Sequence, residues 1–143
     1  MHVTDLPINQ ALGMQLAVPG SAHLLDLPES PLGLNHLGTI HASAQFALAE
    51  ACSGEFLISS LGDKAEQVFA VLRTSEVKFR KPAQGHLRAT AGVSTGTVAS
   101  VLEELVARGR VLVPVDVQVT DTHDVTTMTG KFTWFLQKPA AAS

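Results

Sequence analysis

Apolar and polar residues change their spacing along the chain, and the change separates two kinds of element. Residues 41–61 are apolar on nearly every side, contain no proline and hold one glycine, Gly54, which predicts a long buried helix. Beyond Gly62 the period shortens from about 3.6 to about 2, which predicts strands. These strands are expected at residues 68–72, 74–80, 87–93 and 111–119, and in a last strand with Met128, Gly130, Phe132, Trp134 and Leu136 on one face.

Weaker signals fill the rest of the chain. Residues 6–12 have the pattern of a short helix, and two short strands are expected, one ending at Val18 and one over residues 23–27. Helical spacing returns at residues 97–107, just before Gly109. One central helix followed by four long antiparallel strands predicts an α+β fold, in which a twisted antiparallel sheet wraps around the long helix.

The composition indicates one domain over residues 1–143 and an interface beyond its core. Apolar residues make up 45% of the sequence and charged residues only 16%, which is little charge for the solvated surface of a monomer. We therefore expect a homodimer or homotetramer. The alternating valines of residues 111–119 are expected to contribute to its interface, and joining two sheets edge to edge would cover an exposed strand edge.

Charge and cysteine content exclude several classes of protein. The net charge of −3 provides no basic field for nucleic acid or a membrane surface, so we expect neither partner. The first ten residues lack the features of a secretory leader, and polar residues interrupt the apolar stretch 40–61, so no membrane span is expected. The single cysteine, Cys52, excludes an intrachain disulfide and a cysteine-rich metal site, and a cytoplasmic location is expected.

Glu50 is the residue that most suggests chemistry, because it lies mid-helix between Ala49 and Ala51. Burial of a carboxylate is costly and raises its pKa towards neutrality, where a general base or a nucleophile is useful. The alternative is a Glu50 side chain that reaches solvent or caps a neighbouring backbone group. Cys52, with small neighbours, fits a buried thiol better than a nucleophile.

The residues around the start of this helix follow a specific order. Asn35 is followed by Gly38-Thr39, then by His41 at the helix start, and Glu50 comes nine residues after His41. This order, together with the strand pairs after the helix, resembles the hotdog-fold acyl-CoA thioesterases, in particular their phenylacetate-pathway and 4-hydroxybenzoyl-CoA branches. The resemblance covers roughly residues 12–136 and implies a hotdog fold.

The resemblance also implies an activity, the hydrolysis of an acyl-CoA thioester to a free acid and CoA, without a cofactor other than the CoA of the substrate. It makes Glu50 the base or nucleophile, and it makes the backbone amides of Ala42 and Ser43 the donors that polarise the thioester carbonyl. Asn35 is expected to position substrate or water, and Ser53 to orient the Glu50 carboxylate. In this family the acid and the helix end come from opposite subunits, so the site requires a dimer.

One departure from the family motif favours a second function. Where the family has His-Gly-Gly, this sequence has His41-Ala42-Ser43. Glycine lets a thioester approach the backbone closely, so the added side chains narrow the slot and favour a non-catalytic acyl-CoA-binding or sensing module. His41 either bonds near the thioester and the Asn35 loop or simply satisfies a neighbouring backbone group. A hydroxyacyl dehydratase is disfavoured because its His-Phe-Pro-like motif is absent.

Four of the ten basic residues lie beside the turn at residues 82–85, namely Lys78, Arg80, Lys81 and Arg88. We expect Arg80 and Lys81 to bind the phosphates of coenzyme A, with a solvated strand face as the alternative. Arg108 and Arg110 form a second candidate pair. His36 and His41 do not make a convincing metal pair, and the sequence has no HExxH motif, so no metal is assigned. His2, His23, His86 and His123 are interpreted as surface or turn residues.

Overall fold

A computed structural model describes residues 1–139, and residues 140–143 of the expected domain lie outside the described residues. The helices of the described part are α1 (Pro7–Ala11), α2 (Ala42–Leu61) and α3 (Val98–Arg108). The strands are β1 (Gln15–Leu16), β2 (Leu25–Leu27), β3 (Phe69–Phe79), β4 (Leu87–Val93), β5 (Arg110–Thr120) and β6 (Thr126–Gln137). They form one antiparallel sheet in the order β1-β2-β4-β5-β6-β3, and α2 packs against its middle strands. The predicted α+β fold, a sheet around a long helix, is confirmed.

Helix α2 begins and ends where flanking residues cap it. The His41 ring accepts a hydrogen bond from the Ser43 amide at the first turn, and Gly62, with φ of 58°, ends the helix and donates from its amide to the Ile58 carbonyl. The observed start differs from the predicted one by a single residue. Phe46 anchors the helix to the sheet through an edge-to-face contact with Phe132, with 5.6 Å between ring centroids.

The valine-rich strand β5 lies inside the sheet, between β4 and β6. Its alternate valines are all buried: Val111, Val113, Val115, Val117 and Val119. The expectation that these valines contribute to an oligomer interface is therefore wrong, because they belong to the core of a single protomer. Strand β3 lies at one edge of the sheet, where among the described residues it pairs with β6 alone and leaves Phe69, Val71 and Phe79 exposed.

Strand β3 also joins two predicted strands into one. A β-bulge between Leu72 and Thr74 interrupts its register with β6, and this explains why the alternation in the sequence restarts there. At the other edge the two short predicted strands are confirmed in position but are shorter than expected. Among the described residues, no helix is both long and apolar enough to cross a membrane.

Two smaller elements lie on either side of α2. The N-terminal segment (residues 1–9) contains a 3₁₀ turn, Val3–Asp5, and the start of α1, where Pro7 occupies the first helical position. Helix α3, predicted at residues 97–107, is capped by the Thr97 side chain and ends at Gly109, whose φ of 76° is left-handed. It connects β4 to β5 and covers part of the core with Leu105.

Candidate functional site

The N-terminal end of α2 is open to solvent. His41, Ala42 and Ser43 are all exposed, and the His41 backbone is fixed because its amide donates to the Gly33 carbonyl (2.7 Å). The Ser43 amide donates to Nδ1 of His41 (2.9 Å), whereas the Ala42 amide donates to no group in the described part of the chain. Of the two amides expected to polarise a thioester, the Ala42 amide is free and the Ser43 amide is engaged.

The loop before α2 is held together by the side chain of Asn35. Its Oδ1 accepts hydrogen bonds from the amides of Leu37 (2.9 Å) and Thr39 (3.1 Å), and its Nδ2 donates to the Thr39 hydroxyl (2.8 Å). Gly38 closes the turn with φ of 77°, a left-handed conformation that suits glycine. In this arrangement the Asn35 carboxamide serves its own loop, and its oxygen is not directed to a substrate.

Arg80 and Lys81 lie at the same end of the molecule as this helix start. The Ile40 amide donates to the Ala83 carbonyl (2.8 Å), which ties the segment after β3 to the residue before His41. Arg80 is anchored by bonds from Nε to the Thr129 hydroxyl (2.9 Å) and from its amide to the Thr127 carbonyl (2.8 Å). Both cationic side chains are exposed. The structure thus brings two cations and a free helix amide to one region.

The second candidate pair, Arg108 and Arg110, is remote from that region. Arg110 begins β5, and Thr120 at the other end of β5 pairs with Arg88 at the start of β4. At about 3.4 Å per residue, the strand separates the two ends by roughly 30 Å. These arginines therefore do not share a site with the α2 start of their own protomer.

Glu50 lies two turns into α2, in the wall of an apolar cavity of about 330 Å³. The other walls come from the N-terminal segment, from β3 and from Trp134 of β6. The Glu50 side chain is half-buried, and burial raises the pKa of its carboxyl. No side chain of the described residues donates a hydrogen bond to this carboxylate or pairs with it. Glu50 is thus partly desolvated and unpaired, a combination that is frequent at functional sites.

Ser53 does not reach the Glu50 carboxylate. Its buried hydroxyl donates to the main-chain carbonyl of Glu50 (2.6 Å) and accepts from Nε1 of Trp134 (2.8 Å). The expected orienting bond is absent from this arrangement, because the hydroxyl proton is already used within the helix. Ser53 instead fixes the indole that forms one wall of the cavity.

Glu55 has a structural role that the sequence reasoning missed. Its buried carboxylate accepts hydrogen bonds from Nδ1 of His2 (2.6 Å) and from the Val3 amide (3.0 Å). Asn9, also buried, donates from Nδ2 to the Val3 carbonyl (2.9 Å). Glu55 thus holds the N-terminal segment against α2, and Asn9 closes the segment on itself. A second acidic residue within an apolar helix was the available signal in the sequence.

The two candidate halves of a site are separated along α2. Glu50 comes seven positions after Ser43, which at 1.5 Å per residue amounts to about 10 Å of helix axis. A carbonyl polarised at the Ala42 amide is therefore too far from the Glu50 carboxylate of the same chain for direct attack.

Among the described residues, neither a reactive thiol nor a metal-binding cluster forms a second candidate site. Cys52 is fully buried, and burial together with the nearby Glu55 charge raises its pKa to about 12, so the thiol is not a nucleophile at neutral pH. No cluster of metal-ligating side chains occurs in residues 1–139.

His23 and His86, interpreted from the sequence as surface or turn residues, both contact a carboxylate. Nε2 of His86 (2.6 Å) and of His23 (3.0 Å) both contact Oδ1 of Asp26 on β2. Burial by itself raises the pKa of Asp26, but the bonds from the two imidazoles outweigh it and hold the pKa below its usual range. This cluster joins β2 to the beginning of β4.

Several solved structures share the fold of this chain. The solved structure of PA5026 from Pseudomonas aeruginosa, a protein of unknown function named a probable thioesterase, matches with a TM-score of 0.82 and 22% identity over 96% of this chain and 91% of that one. BH2602 from Bacillus halodurans, solved with CoA, matches with a TM-score of 0.70 and 20% identity over 90% of this chain and 74% of that one.

A thioesterase from Streptococcus pneumoniae TIGR4, named as hypothetical and solved with coenzyme A, matches with a TM-score of 0.65 and 17% identity over 87% of this chain and 86% of that one. No curated protein matches the sequence. The model of a domain of unknown function, DUF4442, matches residues 17–136. The chain therefore belongs to the DUF4442 family, and it has the hotdog fold of the solved structures that it matches.

Proposed function

We propose that the protein hydrolyses an acyl-CoA thioester to a free acid and CoA, with Glu50 as the catalytic base or nucleophile. The observation that carries this proposal is an unpaired, partly buried carboxylate in the wall of an apolar cavity of about 330 Å³. The apolar wall suits an acyl group, and the raised pKa of Glu50 brings its basicity closer to that needed for proton abstraction.

The chemistry needs one water molecule per thioester. As a base, Glu50 takes a proton from water while the water oxygen attacks the carbonyl carbon, and the proton then passes to the thiolate as the carbon–sulfur bond breaks. As a nucleophile, the carboxylate itself forms an anhydride, expels the CoA thiolate and is regenerated by water. Both routes place negative charge on the carbonyl oxygen, which requires a hydrogen-bond donor.

The Ala42 amide is the best candidate for that donor, because it is free and lies at the positive end of the α2 dipole. The Ser43 amide can contribute only when the His41 ring releases it. We assign His41 to capping and Asn35 to holding the loop that precedes the donor, rather than to direct contact with water or substrate. Ser53 acts on the cavity through Trp134.

The separation of about 10 Å between Ser43 and Glu50 supports a site shared by two protomers. The open edge of β3, with exposed Phe69, Val71 and Phe79, is the surface we assign to the contact within a homodimer. A homotetramer would then arise from a pairing of two such dimers. A monomer measured by light scattering at micromolar concentration would contradict the shared site.

Arg80 and Lys81 are the proposed phosphate ligands of CoA, because both are exposed and lie beside the start of α2. The CoA found with the structures from Bacillus halodurans and Streptococcus pneumoniae supports a CoA ester as the substrate class.

The second candidate function is a module that binds acyl-CoA without turnover. It is favoured by the Ala42 and Ser43 side chains at the helix start and by the Ser43 amide, which His41 already occupies. Such a protein would bind acyl-CoA at the same residues but release no thiol.

Release of free thiol from a panel of acyl-CoA esters separates the two functions. For an enzyme, we expect Glu50→Gln to lower kcat by about 10²-fold or more, because the amide lacks basicity, while the fold persists because a desolvated charge is removed. Glu104→Gln, at an exposed glutamate of α3, is the matched control. Hydrolysis at the native rate by the Glu50→Gln variant would show that Glu50 has a structural role and no catalytic one.

The pH dependence gives a second test of Glu50. The deprotonated carboxylate is the active form, and burial raises its pKa, so kcat should rise with pH through an apparent pKa above the usual value of about 4.3. The same raised pKa means that ionised Glu50 costs folding stability at neutral pH, and the Glu50→Gln protein should be as stable as the native protein or more so.

A further inference from the structure

The cavity beside Glu50 extends in one direction only, along the face of α2 that leads to its C-terminal end. Gly54, Leu57, Ile58 and Leu61 follow Glu50 on this face at helical spacing and line the cavity. From Glu50 to Leu61 the helix axis covers about 16 Å. An acyl chain whose thioester lies at Glu50 therefore has a path away from the helix start, towards the end of α2.

The outer wall of this path is the N-terminal segment. Val3 and Leu6 line the cavity, Val3 is almost fully buried, and Glu55 holds the Val3 amide from the same helix. On the opposite side stands Trp134, whose indole is fixed by Ser53. Each wall is thus positioned by a hydrogen bond to α2, which sets the width of the cavity while the N-terminal segment is docked.

At the far end of the path, the lining changes from apolar to acidic. Met1 and Ile58 line both the cavity and a wider surface hollow, and this hollow also includes Asp63 and Glu66. A chain that extends beyond Met1 would enter water beside two carboxylates and would bury no further apolar surface. Each methylene inside the cavity should tighten binding about fourfold, whereas each methylene beyond it should add nothing.

From these contacts we infer that the protein prefers straight-chain apolar acyl groups of medium length, and that the N-terminal segment, through Val3, sets this limit. The volume of about 330 Å³ lies at the small end of the range of roughly 300–1,000 Å³ for ligand pockets, so a long chain would extend beyond the cavity into the polar hollow. The inference rests on the proposed function for its thioester end. It adds the substrate class and the residues that determine specificity.

Gly54 offers a way to narrow the cavity without disturbing the helix. A Cβ atom added there would lie 3.3 Å from Val3 Cγ1 and 3.6 Å from Trp134 Cζ2, between the two walls. Because alanine is favoured over glycine inside a helix, Gly54→Ala should remain folded. Val3→Ala makes the opposite change, since it removes two methyl groups from the outer wall. Matched controls are Gly92→Ala, where an added Cβ has open space, and Val106→Ala at an exposed valine.

Binding can be measured without turnover, because Trp134 is the single tryptophan of the sequence and lies in the cavity wall. Titration with S-alkyl-CoA thioethers from butyl to hexadecyl should change its fluorescence, with affinity rising about fourfold per methylene up to a medium length and then levelling. Gly54→Ala should move this plateau to a shorter chain and weaken octyl-CoA about tenfold. Val3→Ala should move it to a longer chain, and both controls should follow the native curve.

The outcomes separate this inference from the proposed hydrolysis. A plateau that shifts in opposite directions in the two variants supports the inference even when no acyl-CoA releases thiol, a result that would remove hydrolysis alone. Thiol release with an identical length dependence in the native protein, Gly54→Ala and Val3→Ala would overturn the inference and leave hydrolysis standing. Affinity that keeps rising up to hexadecyl-CoA would also overturn it.

Discussion

The two halves of α2 differ in almost every property that matters for chemistry. Its first turn is exposed, polar and close to the cations Arg80 and Lys81, with a free backbone amide at Ala42. Its second half, from Glu50 onwards, is covered by the N-terminal segment and borders an apolar cavity. One half fits the charged and polar parts of a CoA ester, and the other half fits its acyl group.

A single helix of this kind can supply both halves of the proposed site only if two copies of the helix meet. Within one chain, the donor and the acid are separated along the helix axis, and the helix cannot bend to bring them together. Exposed apolar residues on the β3 edge provide a surface on which a second copy could bring its helix start to the first copy's Glu50.

The largest effect is expected from Ala42→Pro, which removes the free backbone amide in the first turn of α2. Proline is well accommodated at the first position of a helix, so the fold should persist. Loss of one donor to a developing oxyanion lowers kcat by about 10²–10³-fold. Steady-state thiol release, with circular dichroism to verify the fold, measures the effect, and an unchanged kcat would remove Ala42 from the site.

Mixing the Ala42→Pro and Glu50→Gln variants tests whether the donor and the acid of one site come from different chains. If each site takes its donor from one chain and its acid from the other, a mixed dimer contains one intact site, and random exchange should restore roughly a quarter of the native activity. No recovery after subunit exchange would place both groups in a single chain.

The next effect concerns the second half of α2, which the N-terminal segment covers. Glu55→Ala leaves the Val3 amide and the His2 ring without their acceptor, and we expect a loss of about 1–3 kcal/mol in the free energy of unfolding. Urea denaturation measures this loss. Glu104→Ala, at an exposed glutamate of α3, should change stability by less than about 0.5 kcal/mol. Equal stabilities of the two variants would mean that Glu55 does not hold the N-terminal segment.

A smaller effect is expected from the two cations close to the first turn of α2. Replacing Arg80 and Lys81 together by alanine should raise KM for acyl-CoA roughly tenfold and leave kcat nearly unchanged, as for lost uniform binding. Added salt should weaken binding by the native protein more than by the variant. If KM does not change, these cations form a solvated strand face. Arg108→Ala with Arg110→Ala is the matched control at the remote end.

The smallest effect is expected at the cap of α2. His41→Ala removes the acceptor of the Ser43 amide and should cost about 0.5–1 kcal/mol of stability, typical of a lost helix cap. His36→Ala, exposed in the preceding loop, should cost less. Thermal unfolding compares the two, and a larger loss for His36→Ala would contradict the capping role.

Local signals in the sequence were sufficient for most of the fold. The bounds of α2 could be predicted because the apolar pattern, His41 and Gly62 all act within a few residues. Helix α3 was equally accessible from its helical spacing and the Gly109 stop. Alternation identified β5 but not its place in the sheet, because a strand buried in the core and a strand buried in an interface have the same pattern.

The site was less predictable, since its contacts join distant parts of the chain. Glu50 could be singled out because its neighbours in sequence are apolar. The partner of Ser53 is Trp134, eighty-one residues later, and the wall opposite Trp134 comes from Val3. The Asn35 side chain could not be assigned from spacing, because both a loop-forming and a substrate-binding asparagine fit the same position.

The bonds from Glu55 to the N-terminal segment have a consequence for the order of folding. They join residues more than fifty positions apart, so they can form only after α2 exists and a long loop has closed, although the entropy of closure grows only slowly with loop length. The segment should therefore dock after α2 has formed, and because a few hydrogen bonds rather than a strand ladder hold it, it should be among the first parts to detach in the native ensemble. Hydrogen exchange at the Val3 amide would then report opening of the cavity long before the sheet unfolds.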